Sequence, residues 1–211
     1  MEVTAGLALM AYIASSRRLL RARFFLVFIF TLAANFLAQP AGAQESIVQL
    51  DRAQTKIEFM LDSSLHTVHG QFQLKNCTIR FNPSTGAISG AIIVDATSGE
   101  SGNGGRDRKM HREILESAKF LEIQFIPRQM TGTFAPEGTS KIEVAGQFRL
   151  HGQDHEVSLP VEVQMEGQQL RLATHLNIPY VQWGLKNPST FILRAGNTVA
   201  IDIHAVGKVT R

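Results

Sequence analysis

The residues of this chain best suited to chemistry are seven histidines, a single cysteine and a few charged side chains set among glycines. His66 and His69 lie three apart, and His151 and His155 four apart. Either pair could supply two imidazoles to a metal ion, which needs a third or fourth ligand as well. In a strand, residues three apart point to opposite faces, so His66 and His69 converge only across a turn. His151-Gly152-Gln153-Asp154-His155 reads as a hairpin turn, but the sequence fixes no further ligand beside it. Metal binding is therefore not expected, and no cofactor is implied. Ser-His-Asp sets can be drawn from so many positions that they carry no weight, and no Gly-x-Ser-x-Gly elbow occurs. No catalytic residue is assigned.

Cys77 lies in an apolar-alternating stretch and reads as a small core residue rather than a nucleophile. As the sole cysteine it excludes an intramolecular disulfide. The glycines between Gly99 and Gly105 lack the Lys-Ser/Thr of a phosphate loop. Arg106 and Asp107 follow them. They could meet a ligand headgroup, or they could serve the start of a helix, where a carboxylate suits the dipole.

The chain has 21 basic and 18 acidic residues. Arg17, Arg18, Arg21 and Arg23 account for the excess, and the 17 basic and 17 acidic residues after position 23 cancel. A neutral domain lacks the footprint that phosphate backbones require, so nucleic acid is not an expected partner.

Those four arginines precede a fifteen-residue apolar run, Phe24 to Ala38, and then Ala41-Gly42-Ala43. The run suits a signal-peptide core and falls short of the ~20 residues of a transmembrane helix. Residues 1–43 are expected to be a signal peptide cleaved after Ala43, leaving a periplasmic or secreted domain of residues 44–211. An uncleaved anchor is the competing reading. Met10 offers an alternative start, and Ser16 to Leu20 loosely resembles a twin-arginine signal.

From Ile57 onward the dominant signal is period-two alternation, which predicts strands with one apolar face. Ile57, Phe59 and Leu61 share a face, as do Val68, Gly70, Phe72 and Leu74. Cys77, Ile79 and Phe81 follow, then Ile88, Gly90, Ile92 and Val94. In the second half the aligned sets are Leu121, Ile123, Phe125; Ile142, Val144, Gly146, Phe148, Leu150; and Val157, Leu159, Val161, Val163, Met165. Leu170, Leu172, Leu176, Ile178 and Val199, Ile201, Ile203 complete them. One segment departs: Met110, Ile114 and Ala118 at four-residue spacing predict a short amphipathic helix over 106–118. About nine strands with a common apolar face must enclose an interior. A closed barrel and a two-sheet sandwich both satisfy that demand.

Several segments, in order, resemble the YceI-like family of bacterial lipid- and polyisoprenoid-binding proteins. They are Leu65 to Phe72 (LHTVHGQF), Asn103 to Met110 (NGGRDRKM), Phe120 to Pro127 (FLEIQFIP), Gly146 to Pro160 (GQFRLHGQDHEVSLP), Trp183-Gly184, and the closing strand Val199 to Ala205. The resemblance spans about Ile47 to Lys208. It implies an all-β fold, an extended antiparallel eight-stranded barrel similar to lipocalins, with one short helix and a long apolar tunnel. It also implies a carrier of a polyisoprenoid, quinone or other lipid, and not an enzyme. Phe59, Phe72, Ile79, Ile92, Phe125, Phe148, Val161 and Leu172 are then the expected ligand surface, with Arg106 and Asp107 at a headgroup. A structural β domain with a filled core is the alternative, and an enzyme acting on a lipidic substrate is the third reading.

Overall fold

The computed structural model describes residues 45–210, so the signal-peptide expectations for residues 1–43 lie outside the described residues. Nine strands form one antiparallel sheet that closes on itself. They are β1 (Ser46–Leu50), β2 (Lys56–Leu61), β3 (Val68–Phe81), β4 (Ile88–Glu100), β5 (Glu122–Gly132), β6 (Gly138–Leu150), β7 (Gln153–Glu166), β8 (Gln169–Ile178) and β9 (Val199–Thr210). Residues Gln44–Arg211 form a compact unit by themselves, and every pairing of the barrel is made within it.

Nine strands fill only eight positions because β1 and β2 lie in line. Val48 of β1 pairs with Ile79 of β3 on one side and Val209 of β9 on the other. Phe59 of β2 pairs with Gly70 and Ile201 of the same two strands. Asp51 makes the break between them, its carboxylate accepting from the Ala53 N–H (2.9 Å) and the Gln54 amide (2.6 Å), a side-chain turn in place of ladder bonds. From there each strand pairs with the next in sequence, and β9 returns to β1 and β2. Closure removes the exposed edges that an open sheet must protect.

The predicted alternation holds on nearly every strand. Ile57 and Phe59, Ile142 and Val144, Leu159, Val163 and Met165, and Leu170, Leu176 and Ile178 are all buried inside. Phe81 closes one end against Phe134, ring centroids 4.9 Å apart and edge to face. Gly70 is required by the fold: a Cβ there would lie 2.2 Å from Phe59 Cζ and 2.4 Å from the Glu100 carbonyl oxygen. The Phe59 ring takes the space that a side chain would need.

Two expectations are corrected. Leu121 does not join Ile123 and Phe125 inside; it precedes β5 and is 55 % exposed. The helix is shorter and changes type: α1 spans Gly104–Lys109 and passes into a π-helical turn, Met110–Ile114. The Leu115 N–H donates to the Met110 carbonyl at 2.9 Å, a five-residue step that a π turn allows. The wider turn brings Leu115 to the interior beside Met110 and Ile114 and leaves Ala118 exposed.

Candidate functional site

Alternate connections of an up-and-down barrel meet at one end. Here these are residues 62–67, 101–121, 151–152 and 179–198. The His151-Gly152 turn is tight, with positive φ at both residues (52° and 76°), the geometry of a primed two-residue hairpin. The other three connections are long and rim a chamber.

That chamber has a volume of about 470 Å³. Its walls are the inward residues of the strands, Phe59, Phe72 and Ile201 among them, and its rim is formed by Met110, Ile114, Leu115, Tyr180, Leu185 and Leu193. A second, inner chamber of about 150 Å³ lies towards the Phe81–Phe134 end, lined by Val48, Cys77, Met130 and Val163. The two share Ile57, Val94, Ile123, Phe148, Leu176 and Ile203 as walls. The interior thus holds two adjoining apolar chambers, the larger at the mouth and the smaller within, rather than a filled core.

Most of the predicted ligand surface lines this space. Phe59 and Phe72 face the mouth chamber, their rings 5.4 Å apart. Ile79, Ile92, Phe125, Val161 and Leu172 face the inner chamber, and Phe148 faces both. Arg106 is at the rim, where its Nε donates to Ser101 Oγ and its Nη2 to the Ser101 carbonyl, each at 2.7 Å. Asp107 is not a wall residue. Its carboxylate accepts from the Ser101 N–H (3.0 Å) and hydroxyl. Asn103 caps α1, accepting from Gly105 N–H and Arg106 N–H at 3.0 and 3.1 Å. Arg106 and Asp107 therefore fold the β4–α1 corner around Ser101.

The polar side chains that reach the mouth chamber are Ser63, His66, Ser101, Arg106 and Lys109, with Tyr180 behind them. The Ser63 and Ser101 hydroxyls already donate to the His66 carbonyl and to the Asp107 carboxylate, which leaves His66, Arg106 and Lys109 to donate to a ligand, and no carboxylate is among the walls. Lys109 Nζ donates to the Pro188 carbonyl at 2.9 Å, tying α1 to the 179–198 connection across the rim. Tyr180 donates to the Gly196 carbonyl at 2.6 Å, and burial pushes its phenol up to about 12. Cys77 is a buried wall residue whose thiol is pushed up to about 11, again by burial.

The histidines serve several ends. His66 faces the mouth chamber, while His69 lies exposed on β3 opposite Met60. His151 packs on Phe120, and its Nε2 lies 3.4 Å from Glu116. His155 stacks on Trp183, centroids 3.9 Å apart and nearly parallel. His111 bridges Ser117 Oγ (2.9 Å) and the Gly99 carbonyl (2.8 Å). A carbonyl only accepts, so Nε2 carries the proton and Nδ1 accepts from Ser117. His111 thereby anchors the π turn to β4.

The residues that alternation missed are those of the rim: Leu185, Pro188, Leu193 and Ala195. They lie in an irregular 20-residue connection whose only sequence signal is its length and its apolar content, in a position where loops carry function.

The YceI-like domain family model matches residues 48–207. The barrel is similar to the crystal structure of Burkholderia cenocepacia BcnA, with TM-score 0.62 and 18% identity over 74% of this chain and 98% of that one. It is also similar to a polyisoprenoid binding domain from Saccharophagus degradans, with TM-score 0.59 and 14% identity over 77% and 98%. At these identities the likeness is one of fold. No curated protein sequence matches the chain.

Proposed function

The chain belongs to the YceI-like domain family, and on that footing we propose that it is an exported carrier that holds one long apolar molecule inside its barrel without changing it chemically. The observation that carries this reading is the two-chamber interior, wide at the mouth and narrow within. The mouth chamber alone falls within the roughly 300–1,000 Å³ usual for small-molecule sites. A chain that passes the polar rim meets walls that are mostly hydrocarbon as far as the Phe81–Phe134 end. Each methylene buried contributes about 0.8 kcal/mol, so a slender tail of ten carbons binds tightly with no polar contact.

The donors at the mouth favour a cargo with an acceptor at its wide end. A quinone carbonyl, a carboxylate or a phosphate on an isoprenoid or acyl chain would each suit His66 and Lys109. The Saccharophagus degradans domain is described as polyisoprenoid binding, which supports the same class of cargo here. The arginine-led apolar run ahead of residue 44 supports export to the periplasm or beyond.

Native mass spectrometry of the domain, expressed with its own leader and purified without detergent, tests the reading. A stoichiometric apolar molecule that solvent extraction releases is the expected result. A clean apo mass that does not change when quinones and fatty acids are added counts against it.

A further inference from the structure

Among the described residues, four large apolar side chains stand in solvent: Leu65 (67 %), Leu121 (55 %), Phe191 (103 %) and Ile192 (81 %). All four belong to the connections at the mouth end of the barrel. Scattered exposed leucines need no explanation, but large apolar side chains gathered around one opening do.

Phe191 and Ile192 are displayed by a hydrogen-bonded base. The Thr190 N–H donates to the Leu193 carbonyl at 2.7 Å, and the Leu193 N–H returns to Thr190 Oγ1 at 3.1 Å. Beneath this bend, Asn187 Oδ1 accepts from the Ser189 N–H (2.8 Å), and Ser189 Oγ accepts from the Ala195 N–H (2.8 Å). The bend sends Leu193 inward as a wall of the mouth chamber and turns its two apolar predecessors out. Leu65 joins them because Ser64 pairs with Arg194 in both directions, at 2.8 and 3.1 Å.

Charge is distributed to match. The 62–67, 101–121 and 179–198 connections hold seven Lys and Arg residues against four carboxylates, although the chain beyond residue 23 is neutral. The 179–198 segment itself holds exposed Lys186 and Arg194 and no Asp or Glu. On the neighbouring connections, Glu113 is a carboxylate that feels the charge of Lys186.

We propose that the Phe191-Ile192 tip, with Leu65, inserts into the surface of an anionic lipid bilayer and holds the mouth of the barrel against it. The inference rests on the carrier reading, since a cargo insoluble in water has to enter and leave through a membrane. Apolar side chains ringed by cations are the chemistry of an interfacial anchor: the rings and branched chains enter the acyl boundary while Lys186 and Arg194 meet phosphates. Because Leu193 lies beside Phe191 and Ile192, docking brings the cavity wall to the same depth as the inserted tip.

The test is co-sedimentation of residues 44–211 with vesicles of phosphatidylcholine alone and of equal parts phosphatidylcholine and phosphatidylglycerol. The expected result is partition onto the anionic vesicles and weaker partition onto the neutral ones. The Phe191→Ser/Ile192→Ser double variant loses about tenfold or more of that partition, the worth of burying one such side chain, with unchanged thermal midpoint. Lys186→Gln/Arg194→Gln loses only the anionic increment. Wild-type protein that sediments with neither vesicle overturns the proposal, and so does a double variant that binds as wild type does. A wild-type dimer that the double variant abolishes, without vesicle binding, assigns the tip to a second copy and equally overturns it. Cargo is read separately by mass spectrometry, so a protein with no cargo that still docks through Phe191 and Ile192 refutes the carrier and leaves the anchor standing.

Discussion

Leu74 and Cys77 stand three positions apart on β3, and both face the barrel interior. On a regular strand they would point to opposite sides. The pairing explains it: Leu74 lies opposite Val94, Asn76 opposite Ile93 and Cys77 opposite Ile92, so Lys75 is an extra residue with no partner of its own. This bulge reverses the phase of β3 once, and both halves of its apolar pattern end up inside. Lys75 turns outward and pairs with Glu122 at 2.8 Å.

Deleting Lys75 is therefore predicted to be far less damaging than deleting Thr78 from the regular part of the same strand. Lys75→Ala removes an exposed ion pair, which contributes little. Without Lys75, Leu74 and Cys77 stand two apart, and a regular strand keeps both inside. Without Thr78, either Cys77 or Ile79 and Phe81 turn out to water. Circular dichroism should show a cooperative transition for Lys75→Ala and for the Lys75 deletion, and its loss for the Thr78 deletion. Equal loss in the two deletions would mean that the bulge does not set the register.

Much of the barrel was legible because its walls obey a single rule. Ile142 to Leu150 and Val157 to Met165 alternate without interruption, and both strands face inward as read. Alternation says which side is apolar but not whether a sheet closes, so barrel and sandwich were separated only by the family resemblance. The eight expected apolar ligand contacts are wall residues for the same reason. Asp107 is ambiguous in sequence, since a carboxylate beside a glycine-rich corner looks the same whether it meets a ligand or serves the helix start, and in the structure it accepts from Ser101. The π turn was invisible because its wider step is set by Leu115 reaching the cavity and by His111 between Ser117 and Gly99. The rim residues of 179–198 follow no period, since irregular backbone over a cavity has none.

Cys77 provides a probe of the inner chamber. Its thiol is buried and pushed from its ordinary value near 9 up to about 11, so little thiolate exists near neutrality. Labelling by a thiol reagent at pH 8 is expected to be slow in the native protein and fast in denaturant. An apolar cargo whose tail reaches past Phe148 should slow it further. Reaction in native protein as rapid as in denaturant would place Cys77 outside a closed wall.

Tyr180 provides a pH signature, and it is the only tyrosine after residue 43. Its phenol titrates near 10 when unfolded and near 12 in the barrel, because burial disfavours the phenolate. The folded value is the higher one, so this contribution is fully present below pH 10 and is lost as pH rises towards 12. Its loss is worth on the order of 2 kcal/mol. Tyr180→Phe should flatten the decline of stability between those values and lower stability at neutral pH by about 1 kcal/mol through the lost bond to Gly196. Cys77 is common to both proteins and cancels in the comparison. Tyrosinate absorbance that rises at pH 10 in the folded protein would refute the shift.

The inner chamber predicts a length limit on the cargo. Val161 of β7 sits between Ile142 of β6 and Thr174 of β8 and faces that chamber. For a homologous series of linear apolar probes, affinity should climb about fourfold per methylene while the tail is still finding wall, then level off when it meets Phe81 and Phe134. Val161→Trp places a large ring in a space of about 150 Å³, and it should bring the plateau to shorter chains. The mouth chamber is untouched by this change, so short probes should bind as before. Overpacking a full core costs about 1–3 kcal/mol, but here the ring enters open volume and the melting midpoint should hold. A plateau at the same length in both proteins would mean that cargo stops in the mouth chamber and that the inner one is only a packing defect.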